Sequence, residues 1–164
     1  MPRLYADTTV SAGHMYINAL NPQGKSKMLT ALPQLNWIAV AIASVAHLIL
    51  GGIWYTVIFR RRYASVMGLD EWPSKAPARF IAGPFLCSLI SIITTAILLQ
   101  CLGIDSQSDA LFLGALVGIG YLGTTTTNIA INPLFPHPYA YAILTVPMFL
   151  IGSIISSSIL VAMR

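Results

Sequence analysis

The chain has 164 residues, 56% hydrophobic and only 9% charged, with a formal net charge of +4 and a mean hydropathy of +0.75. A typical soluble domain is about 25% charged, so this composition excludes an ordinary soluble enzyme. The positive balance reads as membrane topology rather than nucleic-acid binding, because the basic residues flank apolar segments.

Residues 1–34 are polar and broken by Pro2, Gly13, Pro22, Gly24 and Pro33. They contain no apolar core of secretory-signal length and are expected to form a tail preceding one domain, 35–164. From there on, charge falls into two islands, leaving 28–59, 80–104 and 110–163 uncharged. A spanning helix needs about 20 apolar residues. The first two stretches hold one helix each; the third holds two, separated at 132–138, where three prolines cannot continue a helix. The expected fold is an all-α, integral membrane four-helix bundle. Its helices run over about 35–59, 79–102, 109–131 and 139–163, and both termini lie on one side.

The first helix carries Ala39, Ala43, His47, Gly51 and Tyr55 at a spacing of four, which is one helical face. Small residues there admit a neighbouring helix and place His47 inside the bundle. An intramembrane histidine is a functional candidate; a neutral imidazole that merely packs is the alternative. No second His, Cys or carboxylate at i+3 or i+4 completes a metal site.

The connection after this helix holds Arg60, Arg61, Arg62, Lys75 and Arg79 against Asp70 and Glu71, whereas the next holds only Asp105 and Asp109. The positive-inside rule puts loops 60–79 and 132–139 on the cytoplasmic side and both termini opposite, with Trp72 at the headgroup level. The identity of the membrane is not encoded in these charges.

In the second helix, Ser88, Ser91, Thr94 and Thr95 are expected to bond their own i−4 carbonyls or a neighbour. Cys87 and Cys101 would sit about 21 Å apart along the axis, too far for a disulfide. The third helix has Gly114 and Gly118 as a close-packing pair, followed by a polar stripe of Tyr121, Thr125, Asn128 and Asn132. Side-chain amides need partners for both donor and acceptor, so this stripe is expected to meet other helices, water or a ligand. Pro147 should kink the fourth helix and free the carbonyl of Ile143. The run Ser156-Ser157-Ser158 should pack against another helix.

Asn36-Trp37, then Gly51-Gly52-Ile53-Trp54-Tyr55, then Met67-Gly68 resemble the first helix and following turn of the four-helix membrane proteins grouped as domain of unknown function 1761. The resemblance covers about 35–164 and leaves the tail unmatched. It implies fold and membrane location, but no mechanism.

Three functions fit these residues. The leading one is a multi-pass protein that binds a lipophilic small molecule in an intramembrane polar pocket, with cofactor-independent acid/base isomerisation or cyclisation as an open extension. His47 and Tyr55 are its candidate catalytic groups; Trp54, Tyr121, Thr125, Asn128 and Asn132 are its candidate ligand-binding groups. On a straight helix they could line one tapering cavity, with His47 about 12 Å deeper than Tyr55. Beyond the bilayer and this ligand, a second copy or a membrane protein partner is compatible; no cofactor, metal or nucleic acid is expected. An accessory or assembly subunit is the second function. An oligomeric channel or carrier ranks third, because ion transporters commonly use an intramembrane carboxylate and the apolar stretches contain none.

Overall fold

A computed structural model describes residues 27–71 and 77–164. Trp72 and Lys75 therefore lie outside the described residues. Among those described there is no strand. Four helices are long and apolar enough to cross a membrane: Trp37–Ile58, Ile81–Leu102, Gln107–Ala130 and Pro138–Ala162. They are called the first to fourth spans below. The chain is thus an all-α membrane protein built as a four-helix bundle, with helix limits close to those expected from charge alone.

Part of the presumed tail is ordered. Lys27–Ala31 forms a short helix α1, followed by a 3-10 turn at Leu32–Gln34 with Pro33 in its first positions. Ala31 is buried, and α1 lies against the second span. Pro33 does not block this turn, because a proline in the first turn of a helix forfeits only an N–H that has no partner there anyway.

The fourth span is the hub. It packs on each of the other three, whereas the second span sits against the first and fourth. The share of the fourth that is buried, 44%, exceeds the 22–33% of the others, so the outer spans keep the larger exposed faces. Glycines set the closest approaches. A Cβ on Gly114 would stand 2.8 Å from Ile154 Cα, and one on Gly118 would stand 2.7 Å from Leu150 Cα. Both meet backbone, which cannot swing aside, so only glycine lets the third span lie this near the fourth.

One end of the bundle is tied by polar groups. Asn36 caps the first span, accepting from the backbone N–H groups of Ile38 and Ala39 at 3.1 Å, and its amide donates to the Met163 carbonyl at 2.6 Å. The start of the first span is thereby fixed beside the end of the fourth. Gln107 donates to the Ser158 carbonyl, and Arg164 pairs with Asp105.

Two spans are not uniform α-helix. The first ends in a π-helical turn, Trp54–Ile58, and the third contains a longer one, Leu116–Gly123. After the first π turn the chain bends at Phe59 and continues as helix α2, Arg60–Val66. Gly68, at φ +70°, ends α2 by letting Leu69 N–H reach the Ala64 carbonyl, the left-handed closure that glycine makes without steric cost. A Cβ there would stand 3.0 Å from the Pro136 ring.

Candidate functional site

The first-span stripe turns inward as expected. Ala39 and Ala43 are fully buried, and His47 is 6% exposed. The imidazole fills a notch at Gly152 of the fourth span: a Cβ on that glycine would stand 2.5 Å from His47 Cε1. The ring meets the Gly152 backbone closely, yet among the described residues Nδ1 has no hydrogen-bond partner, and neither do the buried hydroxyls of Ser156 and Ser157. These serines pack inside the bundle, as the serine run suggested. Two of the second-span hydroxyls bond their own i−4 carbonyls as expected: Thr94 donates to the Ile90 carbonyl and Thr95 to that of Ser91.

The third-span stripe does not turn inward. Tyr121 is 71% exposed, and Thr125 and Asn128 are exposed as well. Asn132 sits in the turn after the span, where its amide donates to the Ile129 carbonyl and its oxygen accepts from Leu134 N–H. The expected single cavity joining His47 and Tyr55 to these residues is therefore not formed, and the cause is the π segment. Buried positions run Ala110, Gly114, Gly118 and then Gly123 and Ala130. The step from 118 to 123 is five residues, where a straight α-helix would take three or four. One extra residue rotates everything downstream by about 100°. A straight helix would have carried the Gly114–Gly118 face on to Tyr121, Thr125 and Asn128; the π turns bring Gly123 and Ala130 inward instead.

The end of the first span after His47 borders a cleft. Trp54 donates from Nε1 to the Leu144 carbonyl at 3.0 Å. Pro147 lies inside the fourth span, and its missing N–H disturbs this turn. The carbonyl engaged is that of Leu144, one residue past the Ile143 carbonyl that proline leaves open. Beside this bond is an open cleft of about 640 Å³, lined by Trp54, Phe59, Arg61, Arg62, Ser65, Val66, Ala140, Ile143, Leu144 and Pro147. Small-molecule sites are typically about 300–1,000 Å³. Its floor is apolar; Arg61, Arg62 and Ser65 share a face of α2 at helical spacing and supply its polar edge.

Aromatic rings buttress the same end. Trp54 and Phe59 have centroids 4.8 Å apart, Tyr55 and Tyr63 4.6 Å, and Phe135 and Tyr141 5.1 Å. Burial, and secondarily the neighbouring Tyr141, pushes the Tyr63 phenol up to about 12, so this ring stays neutral at physiological pH. Of the candidate catalytic and ligand-binding residues named from sequence, Trp54 alone lines the cleft; Tyr55 stands in the aromatic cluster and His47 in the core. Spacing missed Arg61, Arg62, Ile143 and Leu144. The available signals were Pro147, read as a kink that frees the Ile143 carbonyl, and the arginine run, read for topology and not named as ligand-binding.

The family described as "Protein of unknown function (DUF1761)" matches residues 38–161. The chain belongs to this family. No curated protein and no solved structure matches it. Within this DUF1761 chain the residues of the resemblance have structural work. Gly51 admits Met148, whose Cε would stand 2.8 Å from a Cβ there. Trp54 bonds the fourth span, and Gly68 closes α2 against Pro136. Asn36, just before the matched region, caps the first span.

Proposed function

We propose that this DUF1761 protein binds a lipophilic molecule in the cleft between Trp54, α2 and the Pro147 turn. The observation that carries the proposal is the cleft itself: a mainly apolar hollow at the end of two spans, with cationic and hydroxyl groups along one edge. On the positive-inside reading of the arginine-rich connection, the proposed cleft opens to the cytoplasmic side. The proposed activity is binding without turnover, since neither His47 nor Tyr55 lines the cleft. Purification in mild detergent, followed by mass spectrometry of co-eluting small molecules, tests it. Wild-type protein should retain a lipophile that Ala140→Trp, which fills the cleft, releases. Retention at wild-type level by a folded Ala140→Trp protein overturns the proposal.

The outer face of the third span favours a second role, as an accessory subunit. Gly120 has open space around it, and Tyr121, Thr125 and Asn128 are exposed beside it. A small residue flanked by hydrogen-bonding side chains suits a neighbouring membrane helix.

A further inference from the structure

Resting on the proposal that the cleft holds a lipophile, we infer that its ligand is an amphiphile whose phosphate head group carries net negative charge. Arg61 and Arg62 engage the anionic head group, and the apolar wall of Trp54, Ile143, Leu144 and Pro147 takes the chain.

The placement of the lining along the membrane normal supports this. Trp54, Ile143, Leu144 and Pro147 belong to spans, whereas Arg61, Arg62 and Ser65 lie beyond Ile58, where the first span ends. The cleft therefore extends from the spans to beyond the end of the first span, and all of its charged and hydroxyl side chains stand at that outer end, beside the apolar Phe59 and Val66. A wholly apolar ligand would leave two guanidinium groups facing it without a counter-charge. A free anion would leave the apolar wall uncovered. An amphiphile satisfies both halves.

The sign of the head group follows from the charges present. Among the described residues no carboxylate lines the cleft and neither Arg61 nor Arg62 enters an ion pair, the one ion pair there being Arg164 with Asp105. A second opening shares Phe59, Arg61 and Arg62 with the cleft and adds Arg60, so the positive field extends beside it. Guanidinium groups present planar forks of N–H donors that match phosphate oxygens and make charge-assisted bonds roughly twice as strong as neutral ones. The Ser65 hydroxyl adds a further donor.

The test uses the full chain in a neutral detergent, with phosphatidic acid and phosphatidylcholine of identical acyl chains as probes and native mass spectrometry as readout. Phosphatidic acid should bind about tenfold or more tightly than phosphatidylcholine, in line with a charge-assisted pair. Arg61→Gln/Arg62→Gln should abolish that preference, whereas Arg60→Gln, which removes charge from the same run outside the cleft, should keep it. If the glutamine pair fails to fold, Arg61→Lys/Arg62→Lys retains charge without the forks and should weaken the preference. Equal affinity for both lipids, each displaced by Ala140→Trp, overturns the head-group assignment while leaving lipophile binding intact. A preference that survives loss of both arginines also overturns it. Displacement of phosphatidic acid by millimolar inorganic phosphate, with no dependence on acyl chain, assigns the arginines to a free anion and removes the chain from the site. Binding of either lipid that is indifferent to Ala140→Trp defeats the cleft proposal itself.

Discussion

The first span carries a stripe of small residues with His47, the third a polar stripe, both at helical spacing and both in spans with a π-helical turn, yet one stripe faces the core and the other faces out. In the first span the π turn begins at Trp54, after His47, so the positions from Ala39 to His47 share one uninterrupted α-helical face and are buried together. In the third span the π segment Leu116–Gly123 falls between the glycine pair and the polar residues, so the two halves point in different directions. A stripe keeps its face only as far as the pitch is constant. The π segments also set up the cleft end: the first delivers Trp54 to the fourth span and is followed by the bend at Phe59 that starts α2.

The largest expected effect tests the inward half of the third span. Gly118→Leu would force a side chain against Leu150 Cα and the Phe149 carbonyl. Overpacking a core costs about 1–3 kcal/mol where neighbours can shift, and backbone shifts less readily. The variant should lose several degrees of melting temperature in detergent or fail to assemble. An unchanged melt would mean that the third and fourth spans do not approach as described.

A smaller loss tests how the first span reaches the fourth. Trp54→Phe keeps an aromatic ring but removes the donor to the Leu144 carbonyl, a bond worth about 1 kcal/mol net. Melting temperature should fall by a few degrees and lipophile retention should weaken, because Trp54 also lines the cleft. Unaltered stability together with unaltered retention would detach this bond from both roles.

The smallest effect is the sharpest discriminator between the two stripes. Asn128→Leu exchanges an exposed amide for an apolar side chain on an outer face and should change the stability of the isolated protein by no more than about 0.5 kcal/mol. Loss of folding would show that Asn128 is held inside, and the rotation by the π segment would be wrong. Weakened association with a membrane partner, read by co-purification with stability intact, would support the accessory role of this face.

Much of the architecture was legible in composition. Uncharged stretches of spanning length dictate four helices, since each backbone polar group inside a bilayer must be satisfied within its own helix, and the prolines at 133, 136 and 138 dictate the last break. Small residues at a spacing of four announced the contacts at Gly114 and Gly118, whereas Asn36 and Gly68 were read only as carriers of a family resemblance, and their cap and closure came from the structure. The π turns were not legible: they trade one hydrogen-bond register for another over a few residues, and no single residue type marks them. Nor was the partner of each face. Which carbonyl Trp54 takes, whether Asn128 meets protein, and whether Arg61 and Arg62 border a hollow depend on how the fourth span lies against the others. Local sequence determined that this protein is a set of membrane helices; only their packing decided which polar groups came together.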